Sequence, residues 1–332
     1  MEKPDCTPIW LMRQAGRYME EYRALRRRHT FVEMCKTPEI AAQVTLQPVL
    51  RFDLDAAIIF SDILLPLEGM GVALHFDDAE GPVVERPVRS AADVEALRPI
   101  DPGRDLSYLL DAIRIARPAL SGRIPLIGFA GAPFTLAAYL IEGGASKHYQ
   151  ATKAFMYAQP AAFHLLMEKL TDLCAASLNA QVGAGAQAVQ VFDSWVGVLG
   201  AADYAEYVMD HSARLFASID RSVPSIHFGV DTFHLLPLMG RAGGDVIGVD
   251  WRVPIDIAWE AIGRDRPIQG NLDPAALLGP PAHLERQVRE IVRRAGTGGG
   301  HIFNLGHGVL PETQPEAVEL LVRKVHEYGR AA

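Results

Sequence analysis

The stretch Pro125-Leu126-Ile127-Gly128-Phe129-Ala130-Gly131-Ala132-Pro133-Phe134-Thr135-Leu136-Ala137-Ala138-Tyr139 decides the fold. It opens on a short apolar run with no polar alternation, as a parallel strand covered on both faces requires. Similar runs recur at residues 56–60, 188–192, 225–228, 246–249, 267–269 and 301–305. Segments with helical spacing lie between them. After Pro160, the residues Phe163, Leu166, Met167, Leu170, Leu173, Cys174 and Leu178 form one apolar stripe, expected to end before Gly183. Cys174 belongs to that stripe and reads as a small buried hydrophobe. Residues 70–88 differ: apolar 72–76 and Val83-Val84 flank Asp77-Asp78-Ala79-Glu80-Gly81, the pattern of a β-hairpin. No repeat, low-complexity tract or linker marks a boundary. The economical reading is an α/β protein: one (β/α)8 (TIM) barrel over residues 1–332, with a hairpin excursion near 70–88 and one of eight strands not placed. The alternative is an open doubly wound sheet.

A barrel makes a statement about chemistry, because catalytic groups sit just after strand ends on one face. The run 56–60 leads into Ser61-Asp62, and 125–130 leads to Thr135 and Tyr139. The run 188–192 leads into Asp193-Ser194-Trp195, and 301–305 into Gly306-His307-Gly308. Each has a bland reading: Asp62 and Ser194 as helix caps, Tyr139 as a core aromatic. His307 is harder to dismiss, since a loop between two glycines gives no packing reason for an imidazole. The segment Trp10-Leu11-Met12-Arg13-Gln14-Ala15-Gly16-Arg17-Tyr18-Met19-Glu20-Glu21-Tyr22-Arg23-Ala24-Leu25-Arg26 adds four arginines in seventeen residues. Guanidinium groups stay charged and match carboxylates bidentately, so the segment suits a molecule with several acid groups. It fits equally an exposed helix start whose arginines pair with Glu20 and Glu21.

Composition narrows the partners. The 332 residues are 49% hydrophobic and 22% charged, with a net charge of −8, which argues against nucleic acid as a partner. A polyanionic small ligand remains compatible if arginines gather locally. No apolar run is long enough to span a bilayer, and the start Met-Glu-Lys-Pro-Asp lacks a signal-peptide core. Cys6, Cys35 and Cys174 are odd in number and far apart, which suggests reduced thiols and a cytoplasmic protein. The glycine clusters at 183–186 and 296–300 precede strands, whereas dinucleotide loops follow them. No ligand spacing for metal is present around His227, His234 or the cysteines, and no lysine stands at a strand end for Schiff-base chemistry.

These residues carry a resemblance. Pro8-Ile9-Trp10-Leu11-Met12-Arg13-Gln14-Ala15-Gly16-Arg17-Tyr18 resembles the first signature of the uroporphyrinogen decarboxylase family, and residues 128–144 resemble its second. Phe60-Ser61-Asp62-Ile63-Leu64, Phe192-Asp193-Ser194-Trp195, Gln269-Gly270-Asn271-Leu272-Asp273-Pro274 and Phe303-Asn304-Leu305-Gly306-His307-Gly308 follow in the family's order. Glu20 departs from the family, which often has proline there. The resemblance implies a distorted barrel, a homodimer, and decarboxylation of uroporphyrinogen in haem biosynthesis without metal or organic cofactor. It implies that Asp62 accepts the pyrrole N–H groups and stabilises the ring cation, that Arg13 and Arg17 bind carboxylates, and that Arg13 is also a candidate to position or relay the proton. Gln14, Ala15 and Gly16 would complete that wall, with Arg26 a further candidate for an acid arm. Tyr139, Ser194 and His307 would touch the substrate's polar edge, and Tyr139 would also orient Asp62. Two rivals stand beside it. The related cobalamin or coenzyme M methyltransferases hold zinc through a His-x-Cys that His227-Phe228-Gly229 and His307-Gly308-Val309 lack. A non-catalytic binder of acidic tetrapyrroles is distinguished by assay.

Overall fold

The computed structural model describes residues 5–77, 81–120, 122–296 and 298–330. Of the positions named above, residues 1–4, 78–80 and 297 lie outside the described residues. The strands are β1 (Ala57–Ile58), β2 (Leu74–Asp77), β3 (Gly81–Val84), β4 (Leu126–Gly131), β5 (Ala188–Asp193), β6 (Ser225–Gly229), β7 (Val246–Gly248), β8 (Ile268–Leu272) and β9 (His301–Leu305). All but β2 and β3 form one parallel seven-stranded sheet in the order β1-β4-β5-β6-β7-β8-β9. Helices cover its outer face, and β2 and β3 pair antiparallel as a separate ribbon with Leu74 opposite Val84.

The sheet curls, and residues 8–12 lie across its two edges. Phe303 N–H donates to the Pro8 carbonyl at 2.8 Å, and Asp55 N–H donates to the Ile9 carbonyl at 2.8 Å. Ile9 also makes a parallel bridge to Phe303. Met12 N–H donates to Asn304 Oδ1 at 3.0 Å, so the same segment continues past the end of β9. The chain's start therefore spans the gap between its last strand and its first.

Side chains alternate across the sheet as the pleat requires. On β5, Val189 and Val191 enter the outer core with Leu166, Leu170 and Cys174, while Ala188 and Phe192 face an inner cluster with Trp10, Ile127 and Phe228. That interior carries one polar chain: Trp10 Nε1 donates to Gln269 Oε1 at 3.0 Å, and Gln269 Nε2 donates to Gln190 Oε1 at 2.9 Å.

Several boundaries differ from the sequence reading, each for a local reason. The 56–60 run keeps only Ala57–Ile58 as β1. The Phe60 N–H instead donates to Thr45 Oγ1 at 2.9 Å, and the Ala56 carbonyl accepts from Gln14 Nε2 at 3.2 Å. β8 runs three residues beyond Gln269 to Leu272, because Gly270, Asn271 and Leu272 pair with Phe303, Asn304 and Leu305. The helix expected to stop before Gly183 runs from Pro160 to Ala184. Gly183 tolerates the helix, and the chain turns only at Gly185, whose φ of +123° an L side chain rarely adopts.

Candidate active site

One cavity of about 500 Å³ opens at the carboxyl ends of the strands. Its wall contains Arg13, Gln14, Ala15, Gly16, Arg17, Arg26, Asp62, Tyr139, Ser194 and His307, so the structure brings together every site residue singled out from the sequence. Phe129, Phe192 and Phe228 line its apolar part, with successive ring centroids 5.6 and 6.0 Å apart.

The arginine segment divides between the two readings given for it. Helix begins only at Glu20, and there the bland reading holds: Glu20 takes Arg23 at 2.8 Å and Arg27 at 2.7 Å. Glu21 pairs with the distant Arg51 at 3.2 Å instead of an arginine of its own segment. Arg13 and Arg17 precede the helix, project from the cavity wall, and form no ion pair among the described residues. Arg13 holds a left-handed backbone, φ +58°, which costs a non-glycine residue about 1–2 kcal/mol. Its stem passes where a Cβ on Gly308 would stand, 2.6 Å from Arg13 Cγ. Gly306 is equally constrained, since a Cβ there would meet Trp251 N at 2.4 Å. The two glycines around His307 thus allow two close approaches, one of which admits Arg13. Gln14 is fully buried, and its side chain is turned away from the ligand role expected for it. Its Oε1 accepts from Leu11 N–H at 3.1 Å and its Nε2 holds the Ala56 carbonyl, tying the arginine segment to the start of β1. Arg26 also lines the cavity, with Nη1 donating to the His29 carbonyl at 2.8 Å.

Asp62 follows β1 by a few residues and is partly exposed to the cavity. Its Oδ1 accepts from Leu64 N–H at 2.8 Å, so it also caps the turn that follows. Desolvation pushes its pKa up to about 6, against the opposing pull of the Leu64 N–H and the Arg13 charge. The same two charges reach Tyr139. Burial and Asp62 raise its hydroxyl to about 12, and Arg13 opposes them. His307 moves the other way, down to about 4, because burial and the cations Arg13 and Arg252 disfavour its protonated form. At neutral pH it is a neutral hydrogen-bonding group.

The sequence reading gave no part to Trp195, Phe76 or Pro82, and all three line the cavity. Trp195 packs against Tyr139 with ring centroids 3.7 Å apart and the planes tilted by 30°. The β2–β3 ribbon forms one rim, with Phe76 against Phe31 at 5.3 Å. The local signal for Trp195 was its place directly after Ser194; the ribbon offered none, because its position over the cavity depends on a long-range contact.

Among the described residues no helix is long and apolar enough to cross a membrane. The model of the family described as uroporphyrinogen decarboxylase matches residues 1–328. A uroporphyrinogen decarboxylase of Carboxydothermus hydrogenoformans is 54% identical over 98% of this chain and 93% of its own length. One from Sorangium cellulosum is 53% identical over 100% of this chain and 95% of its own. Among solved structures, a methyltransferase from Methanosarcina mazei superposes with a TM-score of 0.79 at 18% identity, covering 98% of this chain and 95% of that one. At that identity the likeness concerns the fold alone.

Proposed function

The chain belongs to the uroporphyrinogen decarboxylase family, and from that premise we propose how its cavity removes carbon dioxide from its substrate. It is a carboxy-lyase of haem biosynthesis that converts the four acetate arms of uroporphyrinogen III to methyl groups, giving coproporphyrinogen III. Loss of carbon dioxide needs an electron sink, and the pyrrole supplies it. A ring carbon beside the acetate-bearing carbon takes a proton, which makes a cation. The bond to the carboxylate carbon then breaks and its electron pair neutralises the ring, leaving an exocyclic methylene. A second proton converts that methylene to methyl as the first leaves the ring. Each turn consumes one carboxylate and one proton and releases one carbon dioxide.

The protein's task is to bind the acid arms and to stabilise the ring cation. Arg13 and Arg17 hold carboxylates, and Arg26 offers a further cation at the rim. Gly16 and Ala15 leave the backbone open beside them, while Gln14 holds the segment in place. Asp62 accepts the pyrrole N–H groups and faces the cation. Tyr139, Ser194 and neutral His307 hydrogen-bond the substrate edge. No metal or organic cofactor enters this reading. The observation that supports it is the convergence of the Asp62 carboxylate and the exposed Arg13 and Arg17 on a cavity with an apolar floor, with Asp77 at its ribbon rim.

Four wider readings accompany it. Residues 8–12 count as the eighth stave of a distorted (β/α)8 barrel, supported by their bonds to both sheet edges. The chain acts as one domain, works as a homodimer, and resides in the cytoplasm. Anaerobic incubation with uroporphyrinogen, with products separated by chromatography, tests the reaction; Asp62→Ala retaining most activity would falsify the central role. Sedimentation of the purified chain tests the dimer.

A further inference from the structure

Asp193 takes no part in the roles above. It ends β5 one residue before Ser194, and the pleat turns it away from the cavity, toward the helices, where it is fully buried. A carboxylate in such a place is costly unless it is partnered. One oxygen has a partner: the Thr135 hydroxyl donates to Asp193 Oδ1 at 3.0 Å. The other oxygen, Oδ2, is buried without a hydrogen bond, with His227 Nε2 standing behind it at 3.7 Å.

Thr135 connects this buried group to the cavity. Its oxygen accepts from the Trp195 N–H at 3.3 Å, and Thr135 itself reaches the cavity wall. One helical turn later on Pro133–Glu142 comes Tyr139, whose ring packs against that of Trp195. The result is a closed triangle: helix backbone joins Thr135 to Tyr139, ring contact joins Tyr139 to Trp195, and the hydroxyl joins Trp195 to Thr135. The third side depends on the hydroxyl, which rotates and carries a single hydrogen. With that hydrogen committed to Asp193, the lone pairs are left to face Trp195 N–H. Without Asp193 the hydroxyl turns to other acceptors and the triangle loses its third side.

We propose that Asp193 is a positioning residue for decarboxylation, acting through the Thr135 hydroxyl to fix the Tyr139–Trp195 wall and the adjoining Ser194. The inference rests on the reading that Tyr139 and Ser194 face the substrate. A fixed wall matters here because four acetates on four different rings must be presented in turn to one Asp62. A displacement of about 1 Å in such a site costs roughly 100-fold in rate.

The test compares Asp193→Asn, Asp193→Ala, Thr135→Ser and Thr135→Val with wild type in the anaerobic uroporphyrinogen assay, per folded molecule. The asparagine carbonyl still accepts from Thr135, and serine still supplies the hydroxyl. Both therefore keep kcat/KM within about threefold, well inside a tenfold, 1.4 kcal/mol change. Asp193→Ala and Thr135→Val lose about 10- to 100-fold, and release partly decarboxylated intermediates that wild type carries to completion. Asp193→Asn falling as far as Asp193→Ala overturns the proposal, since charge would then matter and not the hydrogen bond. A lowered melting temperature with unchanged kcat, KM and product distribution overturns it too, as a merely structural role predicts. Should Asp193→Ala fail to fold, the two threonine variants carry the same comparison, and equal activity between them sinks the idea. Wild type failing to decarboxylate uroporphyrinogen brings down the underlying reading, and is seen before any variant is made.

Discussion

The two sides of the cavity are built on opposite plans. On one side Arg13 and Arg17 project from a segment pinned by its backbone and by the buried Gln14 amide, while their guanidinium groups form no ion pair among the described residues. On the other, Tyr139 and Trp195 are packed ring on ring and tied through Thr135 to buried Asp193. Under the proposed function, long cations on a fixed base would follow carboxylates that shift position after every turnover, and the aromatic side would give the reacting ring one unchanging surface. Asp62 stands between the two, close enough to feel the Arg13 charge and to help keep the Tyr139 hydroxyl protonated.

The largest way to break this comparison is Asp62→Asn, expected to lower kcat by about 100- to 1,000-fold, as loss of a transition-state charge stabiliser does. The same variant should not be less stable at pH 8. The folded pKa of Asp62 is raised to about 6 from an ordinary 3.8, so between those values the native state keeps a proton that the unfolded chain has lost. Stability therefore falls as pH rises through that window, and above it ionised Asp62 weighs against folding. Melting curves at pH 8 check this: a clear drop for the asparagine variant contradicts the burial argument.

Next comes the cationic side. Arg17→Ala removes charged hydrogen bonds worth about 1.5–3 kcal/mol, so KM should rise about 10- to 100-fold with kcat less affected. Gly308→Ala should act through Arg13, whose Cγ lies 2.6 Å from the added methyl position. A loss of about tenfold in kcat/KM is expected, and none beyond that of Arg13→Ala when the two are combined. Additive losses would show that Gly308 serves something other than Arg13.

The acidic limb of the pH–rate profile sharpens the assignment between two neighbours. It should fall near pH 6 through Asp62 and remain there in His307→Asn, because His307 itself lies near 4. A limb that moves with the histidine variant reverses the roles. The smallest effect belongs to Gln14→Ala, which leaves the Ala56 carbonyl without its donor and should cost about 1–3 kcal/mol of stability in denaturant melts.

Much of this arrangement was legible in the sequence. Buried parallel strands announce themselves as apolar runs, and polar residues placed directly after them converged on one cavity. Reading failed where a distant partner decides the outcome. The apolar run ends at Gln269, yet β9 extends β8 through Gly270 and Asn271. Residues 8–12 read as part of a ligand motif, and nothing local reveals that they also bridge β9 and the approach to β1. Gln14 looks like a binding side chain because it stands between Arg13 and Arg17; its buried direction is set by the Ala56 carbonyl. Asp193 and Ser194 are adjacent and polar, and only the pleat assigns one to the helices and the other to the cavity.

The bridging segment also bears on how the enzyme comes into being. A chain emerges from the ribosome amino end first, so Arg13 and Arg17 are made early. The atoms that hold their segment, the Phe303 backbone and the Asn304 side chain, and the glycine gap at 308 are made much later. Contacts so far apart in the chain form slowly. A nascent or truncated chain that stops before β9 carries its arginines without the frame that aims them, so on the proposed reading activity waits for β9 and Gly308.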